Sequence, residues 1–253
     1  KTIMPSLKFS FFHSRSHRTK YLIRNSTTSF FMRILETAIG FLLVPLLLRS
    51  LDQFTYGVWL TVFSFVTWFR FSEVGIAQGL RNNLSYAVAK GDHQEARILV
   101  STAYYSMLAI STVISILFIT VALNLDWYSI FNVNSNTVDN LPAVVILTYG
   151  VFAFSLTLKL VHTVLHSLQQ GYLVDILLFV DRLLILITIY IVYQFSSSSL
   201  INIAFIYNAI PFTMLLATTI YVFSLKYCYL RPSVKLYKPS ALKIIWKLGS
   251  HFF

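Results

Sequence analysis

Residues 172–194 read YLVDILLFVDRLLILITIYIVYQ, a run of 23 positions in which only three side chains carry a formal charge. As a helix rising about 1.5 Å per residue, this run is long enough to cross the roughly 30 Å hydrocarbon core of a bilayer. Apolar and polar residues do not alternate along it, as they would in a strand of a membrane β-barrel. The run therefore predicts a transmembrane helix.

Similar apolar runs recur on both sides of this segment. Together with it they define six predicted spans, at residues 26–48, 57–80, 98–123, 141–165, 172–194 and 200–225. Each is about 20 residues or longer, the length that a spanning helix requires. The sequence therefore predicts an all-α integral membrane protein with six transmembrane helices.

The composition excludes several other classes. Charged residues make up 11% of the 253 positions, against about 25% in soluble domains, and only six of the 29 charges fall within residues 98–225. The net charge of +11 comes from bases at the two ends and in one loop, not along one face, which argues against nucleic acid as a partner. A single cysteine, Cys228, excludes a disulfide framework.

Lys and Arg are distributed unevenly among the segments that join the predicted spans. With the N-terminus inside, the inner segments carry fifteen of them and the outer loops carry one, Arg49. Cytoplasmic loops of membrane proteins are enriched in these residues. The sequence therefore predicts that both ends of the chain face the cytoplasm.

Apart from Asp175 near the start of the fifth span, seven charged side chains lie within the predicted spans, where each costs about 2.5–3.5 kcal/mol on insertion scales. They are Arg33, Glu36, Arg70, Glu73, Lys159, Asp181 and Arg182. All lie between the inner end and the middle of their span, which favours a water-filled cavity open to the cytoplasm. Ion pairs that only hold helices together are the alternative. Four bases against three acids would slightly favour a phosphate-bearing or acidic substrate.

Further polar residues extend the fourth span towards its inner end. They recur every three or four positions and are Lys159, His162, Thr163, His166 and Gln170. Two histidines at this spacing can bind a metal or relay protons, but no third ligand lies nearby in sequence, so a polar cavity wall or snorkelling to the membrane interface is the preferred interpretation. The chain has no phosphate-binding loop, nucleophile elbow or HExxH motif. We therefore expect neither an enzyme nor a resident metal or cofactor.

Several short patterns then occur in a set order. They are PLLLRSL at 45–51 with YGVW at 56–59, EVGI at 73–76 with Gly79 and RN at 81–82, AVAKGDHQEARIL at 87–99, and RPS at 231–233 with LGSHFF at 248–253. Their order and spacing resemble bacterial O-antigen and polysaccharide flippases, which belong to the multidrug/oligosaccharidyl-lipid/polysaccharide exporter superfamily. The resemblance is closest over residues 26–100 and is absent before Asn25.

The resemblance implies two six-helix lobes around a central cavity that opens alternately to each side of the membrane. This chain would supply a basic cytoplasmic leader at 1–25, one lobe at 26–225, and a linker with the start of a seventh helix at 226–253. On this interpretation the sequence is a fragment of a longer exporter.

The implied function is the transfer of undecaprenyl-pyrophosphate-linked oligosaccharide across the bacterial inner membrane, with H⁺ or Na⁺ as the coupling ion. Other glycan-assembly proteins are expected partners beside membrane lipid. The substrate-cavity residues would be Arg33, Arg70, Lys159 and Arg182, and their charge partners or coupling residues Glu36, Glu73, Asp181 and His162. A multidrug cation exporter of the same superfamily and a non-transporting scaffold of glycan assembly are the alternatives.

Overall fold

Helices account for nearly all of the computed structural model, which describes residues 7–69, 74–195 and 199–249. The α-helices in these ranges are α1 (Leu7–Ser50), α2 (Gln53–Phe69), α3 (Val74–Lys90), α4 (His93–Ala122), α5 (Trp127–Ile130), α6 (Leu141–Leu158), α7 (Leu160–Ser167), α8 (Gly171–Phe195), α9 (Leu200–Tyr221) and α10 (Pro239–Gly249). A π-helical turn at Val222–Lys226 follows α9, and two 3₁₀ turns lead to α10. No strand occurs within the described ranges, so the all-helical class is confirmed.

Five helical segments are long and apolar enough to cross a membrane. They are Ile23–Ser50, His93–Ala122, Leu141–Ser167, Gly171–Phe195 and Leu200–Lys226. The shortest has 25 residues, or about 37 Å of helix, which exceeds the hydrocarbon thickness of about 30 Å. These segments agree with five of the six predicted spans and with a multi-pass membrane protein.

The predicted span at 57–80 is not among these five segments. Its positions are divided between α2 and α3, and residues 70–73 between these helices lie outside the described part of the chain. Each of the two helices has 17 residues. The total of six spans therefore remains a prediction.

The helices pack in an arrangement that brings distant parts of the chain together. Helix α1 lies along α8, while α6 packs between α4 and α9, and α3 contacts α4, α7 and α10. The interior is apolar and includes the buried side chains of Trp59, Leu141 and Ile189. Large apolar side chains such as Phe205 and Leu117 are more than half exposed, as expected for a surface that faces lipid rather than water.

The predicted inner segments meet at one end of the bundle. There the Arg97 Nε donates a hydrogen bond of 3.0 Å to the carbonyl of Arg231, and the Lys226 Nζ donates one of 2.8 Å to the Gln170 Oε1. Helix α5 and the loop after it lie instead beside the start of α2. The loops in these contacts are thus divided between two ends as the topology predicts, while the side of the membrane that each end faces remains a prediction.

Local chemistry explains the turn between α3 and α4. Gly91 has a φ of +76°, a conformation that costs glycine little. The next residue, Asp92, caps α4 because its carboxylate accepts a hydrogen bond of 2.8 Å from the Glu95 N–H, which would otherwise lack an intrahelical acceptor. A Gly–Asp pair between two helical patterns predicts a turn from the sequence, and this turn is confirmed.

Two helices extend across or into the segments predicted to flank the lobe. Helix α1 begins at Leu7 and continues through Pro45 to Ser50, so the backbone is helical on both sides of residue 25. Helix α10 begins at Pro239, where proline is well suited to the first turn of a helix, and it lies within the segment predicted to hold the linker and the start of a seventh helix. Residues 250–253 of that predicted helix lie outside the described residues.

One close helix contact depends on a glycine. A Cβ placed on Gly79 of α3 would lie 2.0 Å from the carbonyl oxygen of Ile245 in α10. Small residues allow helix backbones to approach in this way in membrane proteins. Gly79 therefore permits α10 to lie directly against α3.

Candidate substrate cavity

Two adjoining cavities contain most of the charges predicted to lie in the membrane. The larger, of about 700 Å³, lies among α1, α2, α8 and α9, and the smaller, of about 200 Å³, among α1, α2, α6, α8 and α9. We call them together the charged cavity. The two parts share five lining residues, Glu36, Phe63, Leu178, Arg182 and Tyr207. The charged side chains in the lining are Arg33, Glu36, Lys159, Asp175, Asp181 and Arg182.

The first ion pair joins α1 to α8. The Arg33 Nε lies 3.0 Å from the Asp175 Oδ1 and donates a hydrogen bond to it. The Asp175 side chain is 5% exposed and that of Arg33 is 67% exposed. The buried carboxylate thus holds one nitrogen of a guanidinium group that still faces the cavity.

A second pair joins the same helices at a longer distance. The Arg182 Nε lies 3.7 Å from the Glu36 Oε1, with both side chains partly exposed. Residues 33 and 36 lie three positions apart on α1, so they share one helix face. Two ion pairs therefore line the surface where α1 meets α8, as expected if costly membrane charges are partnered.

Asp181 occupies the smaller part of the charged cavity. This residue is 8% exposed, and its Oδ1 has no hydrogen-bond partner within the described residues. Buried polar atoms without a partner are uncommon in folded proteins. The oxygen is therefore available to a cation or a hydrogen-bond donor that enters this cavity.

Lys159 lies at a break in the fourth predicted span. Helix α6 ends at Leu158 and α7 begins at Leu160, and the His162 N–H donates to the Lys159 carbonyl three residues earlier rather than four. The Lys159 Nζ lies 5.0 Å from the centre of the Phe152 ring, within the range of a cation–π contact. The irregular backbone thus coincides with a charged cavity residue.

Aromatic rings form one wall of the charged cavity. The ring centres of Trp59 and Tyr207 lie 5.3 Å apart, and that of Phe63 lies 5.6 Å from Trp59. Such distances are typical of favourable aromatic pairs. These rings were not among the predicted site residues, because aromatic residues are common throughout the spans.

Asp175 is the charged residue of the described cavity lining that was not among the seven. It lies seven positions before Arg182, which places both near one face of α8 after two helical turns. That spacing is the signal in the sequence that could have assigned Asp175 to the cavity.

Not every predicted site residue lies in this cavity. His162 is half-buried and does not line either part of it. His166, on the same predicted polar stripe, packs beside Gly171, whose Cβ would lie 2.7 Å from the His166 Nδ1. Arg70 and Glu73 lie outside the described residues. Within those residues, no group of three or more His, Cys, Asp or Glu side chains could hold a metal ion.

The charge balance differs from the expected cationic bias. Three bases and three acids line the described cavity, because Asp175 joins the lining and Arg70 and Glu73 are outside the described part of the chain. The site therefore offers fixed charges of both signs beside an aromatic wall. Such a lining can bind a polar or charged group within the thickness of a membrane.

Comparisons with protein-family models, characterised proteins and solved structures find no match for this chain.

Proposed function

We propose that this chain forms one lobe of a flippase that moves lipid-linked oligosaccharides across the bacterial inner membrane by alternating access. The observation that supports this proposal is the cavity of about 700 Å³, in which Arg33 and Arg182 lie on the facing helices α1 and α8. An anionic headgroup needs fixed cations and a polar space to pass through the bilayer, while its lipid chain remains among apolar side chains. The charged cavity and the exposed apolar faces meet these two needs.

The bases and the acids of the charged cavity would have different roles. Arg33 presents its exposed guanidinium to the pyrophosphate or acidic sugar, while Asp175 orients the group through Nε. Arg182 lines both parts of the cavity and Lys159 lines the smaller part, so that the bases form a path from one part to the other. Arg70 would add a further cation in the part of span 57–80 outside the described residues.

The acids would keep these cations in place and couple transport to an ion. Glu36 pairs with Arg182, and Asp181 has an oxygen without a described partner, which suits exchange of H⁺ or Na⁺ during the rocking of one lobe against the other. Glu73 and His162 would be further coupling groups.

The test removes charges in pairs, so that no buried charge is left without its partner. The double variants Arg33→Gln/Asp175→Asn and Glu36→Gln/Arg182→Gln are made in the full-length protein, and surface glycan is measured in the producing bacterium. We expect each to reduce export at least tenfold, because about 1.4 kcal/mol of lost headgroup binding has that effect. Protein level in the membrane is measured in parallel.

The matched control is Lys90→Gln/Glu95→Gln, which removes one base and one acid that are both exposed at the α3–α4 turn. We expect export to be unchanged. Wild-type export in both cavity variants would contradict the proposal and would favour the scaffold, since a scaffold needs no charge in its cavity.

Export of cationic compounds is the second candidate function. The observations that favour it are the equal numbers of described acids and bases, the unpartnered Asp181 oxygen and the aromatic wall, since aromatic rings and carboxylates both attract cations. Growth on cationic dyes separates the two. A drug exporter loses resistance in Asp181→Asn while surface glycan stays intact, and a glycan flippase shows no change in resistance.

A further inference from the structure

A third cavity lies among α7, α8, α9 and the π-helical turn, and it shares no lining residue with the charged cavity. It has a volume of about 320 Å³ and its walls are mainly apolar, with Leu173 and Ile176 on one side and Met214 and Ala217 on the other. We call it the lateral groove. Ala217 and Tyr221 are exposed, so the groove opens to the surroundings of the bundle.

One cation, Lys226, lines the end of this groove. Lys226 lies four positions after Val222 and eight after Thr218, and both of these residues also line the groove. Residues four apart are neighbours on a helix, so Lys226 continues this side of the lining. The turn at Val222–Lys226 is π-helical, with the Tyr227 N–H donating to the Val222 carbonyl at 2.7 Å.

The Lys226 side chain is also held in position. Its Nζ donates to the Gln170 Oε1 at 2.8 Å, and the Gln170 amide nitrogen contacts the Tyr227 hydroxyl. Neither Asp nor Glu occurs in the described lining of the groove. An oriented ammonium group thus lies at the mouth of an apolar slot, with no carboxylate there to neutralise it.

The location of the groove indicates what could fill it. Lys226 lies at the end of the bundle where the basic inner segments meet, and in the predicted topology this end faces the cytoplasmic leaflet, which is rich in anionic lipids. Basic pockets between transmembrane helices on that side suit lipid headgroups. An acyl chain matches the apolar walls, and a phosphate matches the cation.

We propose that the lateral groove binds an anionic glycerophospholipid of the cytoplasmic leaflet. One acyl chain lies between Ile176 and Ala217, and the phosphate contacts Lys226. This site is separate from the charged cavity and does not depend on the transport function proposed above.

The test measures lipid binding to the purified chain in detergent by native mass spectrometry. The probes are phosphatidylglycerol and phosphatidylcholine with identical acyl chains, titrated separately. We expect phosphatidylglycerol to bind about fivefold more tightly, the effect of one favourable basic contact with an anionic headgroup. Lys226→Gln removes this preference, whereas Lys226→Arg retains it.

The matched control is Lys235→Gln, which removes an exposed base from the same linker outside the groove, and we expect it to keep the preference. Ala217→Trp and Ile176→Trp fill the groove from opposite walls and should weaken binding of both lipids. Equal effects of Lys226→Gln and Lys235→Gln would show a diffuse basic surface and overturn the proposal. Unchanged binding in both tryptophan variants would overturn it as well.

Discussion

Arg33 and Asp175 differ greatly in exposure, although they form one ion pair. The carboxylate is almost fully buried, and about two thirds of the arginine side chain is exposed. A buried charge that loses its partner is costly, while an exposed charge is solvated by water. Replacing each residue alone should therefore lower the free energy of unfolding by different amounts.

We predict that Arg33→Gln lowers the free energy of unfolding by about 3 kcal/mol, because Asp175 is left charged and buried. Asp175→Asn should cost no more than about 1 kcal/mol, because the Arg33 side chain remains exposed in the charged cavity. The double variant should recover most of the loss. Unfolding in mixed detergent micelles measures all three, and equal costs for the single variants would show that the pair does not have this asymmetry.

Asp52, which precedes α2 outside the predicted spans, permits a prediction about pH. Its pKa is lowered from the usual value. The main cause is that its carboxylate accepts hydrogen bonds from the Thr55 hydroxyl at 2.5 Å and from the Thr55 N–H at 3.1 Å. A carboxyl whose pKa is lower in the folded state than in the unfolded state stabilises the fold at pH values above the unfolded-state pKa. That stabilisation is lost as the pH falls through the folded-state pKa.

We therefore predict that Asp52→Ala lowers stability by about 1 kcal/mol at pH 7, as for loss of a helix cap. The difference from wild type should shrink below about pH 4, where the carboxyl of the unfolded chain becomes protonated. Thermal unfolding in detergent between pH 7 and pH 3 measures this. A difference that stays constant down to pH 3 would contradict the assignment of the stabilisation to the charged form.

At the scale of helices, the contact of α10 with α3 depends on one of two glycines that the sequence does not distinguish. Gly75 and Gly79 are four residues apart on α3, yet a Cβ at Gly75 meets nothing within 4 Å and one at Gly79 would clash with the Ile245 carbonyl. Backbone atoms cannot move aside as a flexible side chain can. Gly75 is therefore a matched control for Gly79.

We predict that Gly79→Ala separates α10 from α3, whereas Gly75→Ala leaves the contact intact. Amide hydrogen exchange of residues 239–249 should become at least tenfold faster in the first variant and stay unchanged in the second. Gly75→Ala should also stabilise α3 slightly, since alanine is favoured over glycine by up to about 1 kcal/mol within a helix. Equal exchange in the two variants would show that α10 is held by other contacts.

The sequence predicts helices and turns well where a few adjacent residues determine them. It predicts them less well where they depend on packing against other helices. Long apolar runs located five spans, and the pair Gly91–Asp92 located a turn, because each follows from a few adjacent residues. The break at Lys159 and the π-helical turn at Val222–Lys226 have no such signal. They depend on hydrogen bonds and packing that the sequence does not display.

For the molecule as a whole, the charged cavity could also be predicted only in part, because its lining depends on how the helices pack. The cost of membrane charges singled out five residues that the structure places in the lining of one cavity, among them Arg33 and Arg182. The sequence did not show that His162 lies outside this lining, because a helical stripe does not show which neighbour it faces. It also missed the ring of Trp59, since an aromatic residue is equally common in packing and in a binding site.

The number of membrane crossings decides whether this chain can be a six-helix lobe, and its single cysteine offers a direct test. Cys228 is exposed just beyond the last span. In the predicted topology a membrane-impermeant thiol reagent labels it only in inverted vesicles. Cys228→Ser abolishes labelling and provides the background for cysteines placed at exposed positions of α2 and α3.

In that background we predict that Gln53→Cys is labelled in intact cells and Lys90→Cys only in inverted vesicles, because α2 and α3 together cross the bilayer. The 17 residues of each helix span only about 25 Å, so neither is long enough to make the crossing alone without thinning the bilayer. If positions 53 and 90 are labelled from the same side, α2 and α3 form a hairpin that enters and leaves one leaflet. Five crossings would then put the two ends of the chain on opposite sides, and parallel six-helix lobes would be excluded, since a second lobe could not start in the same orientation as the first.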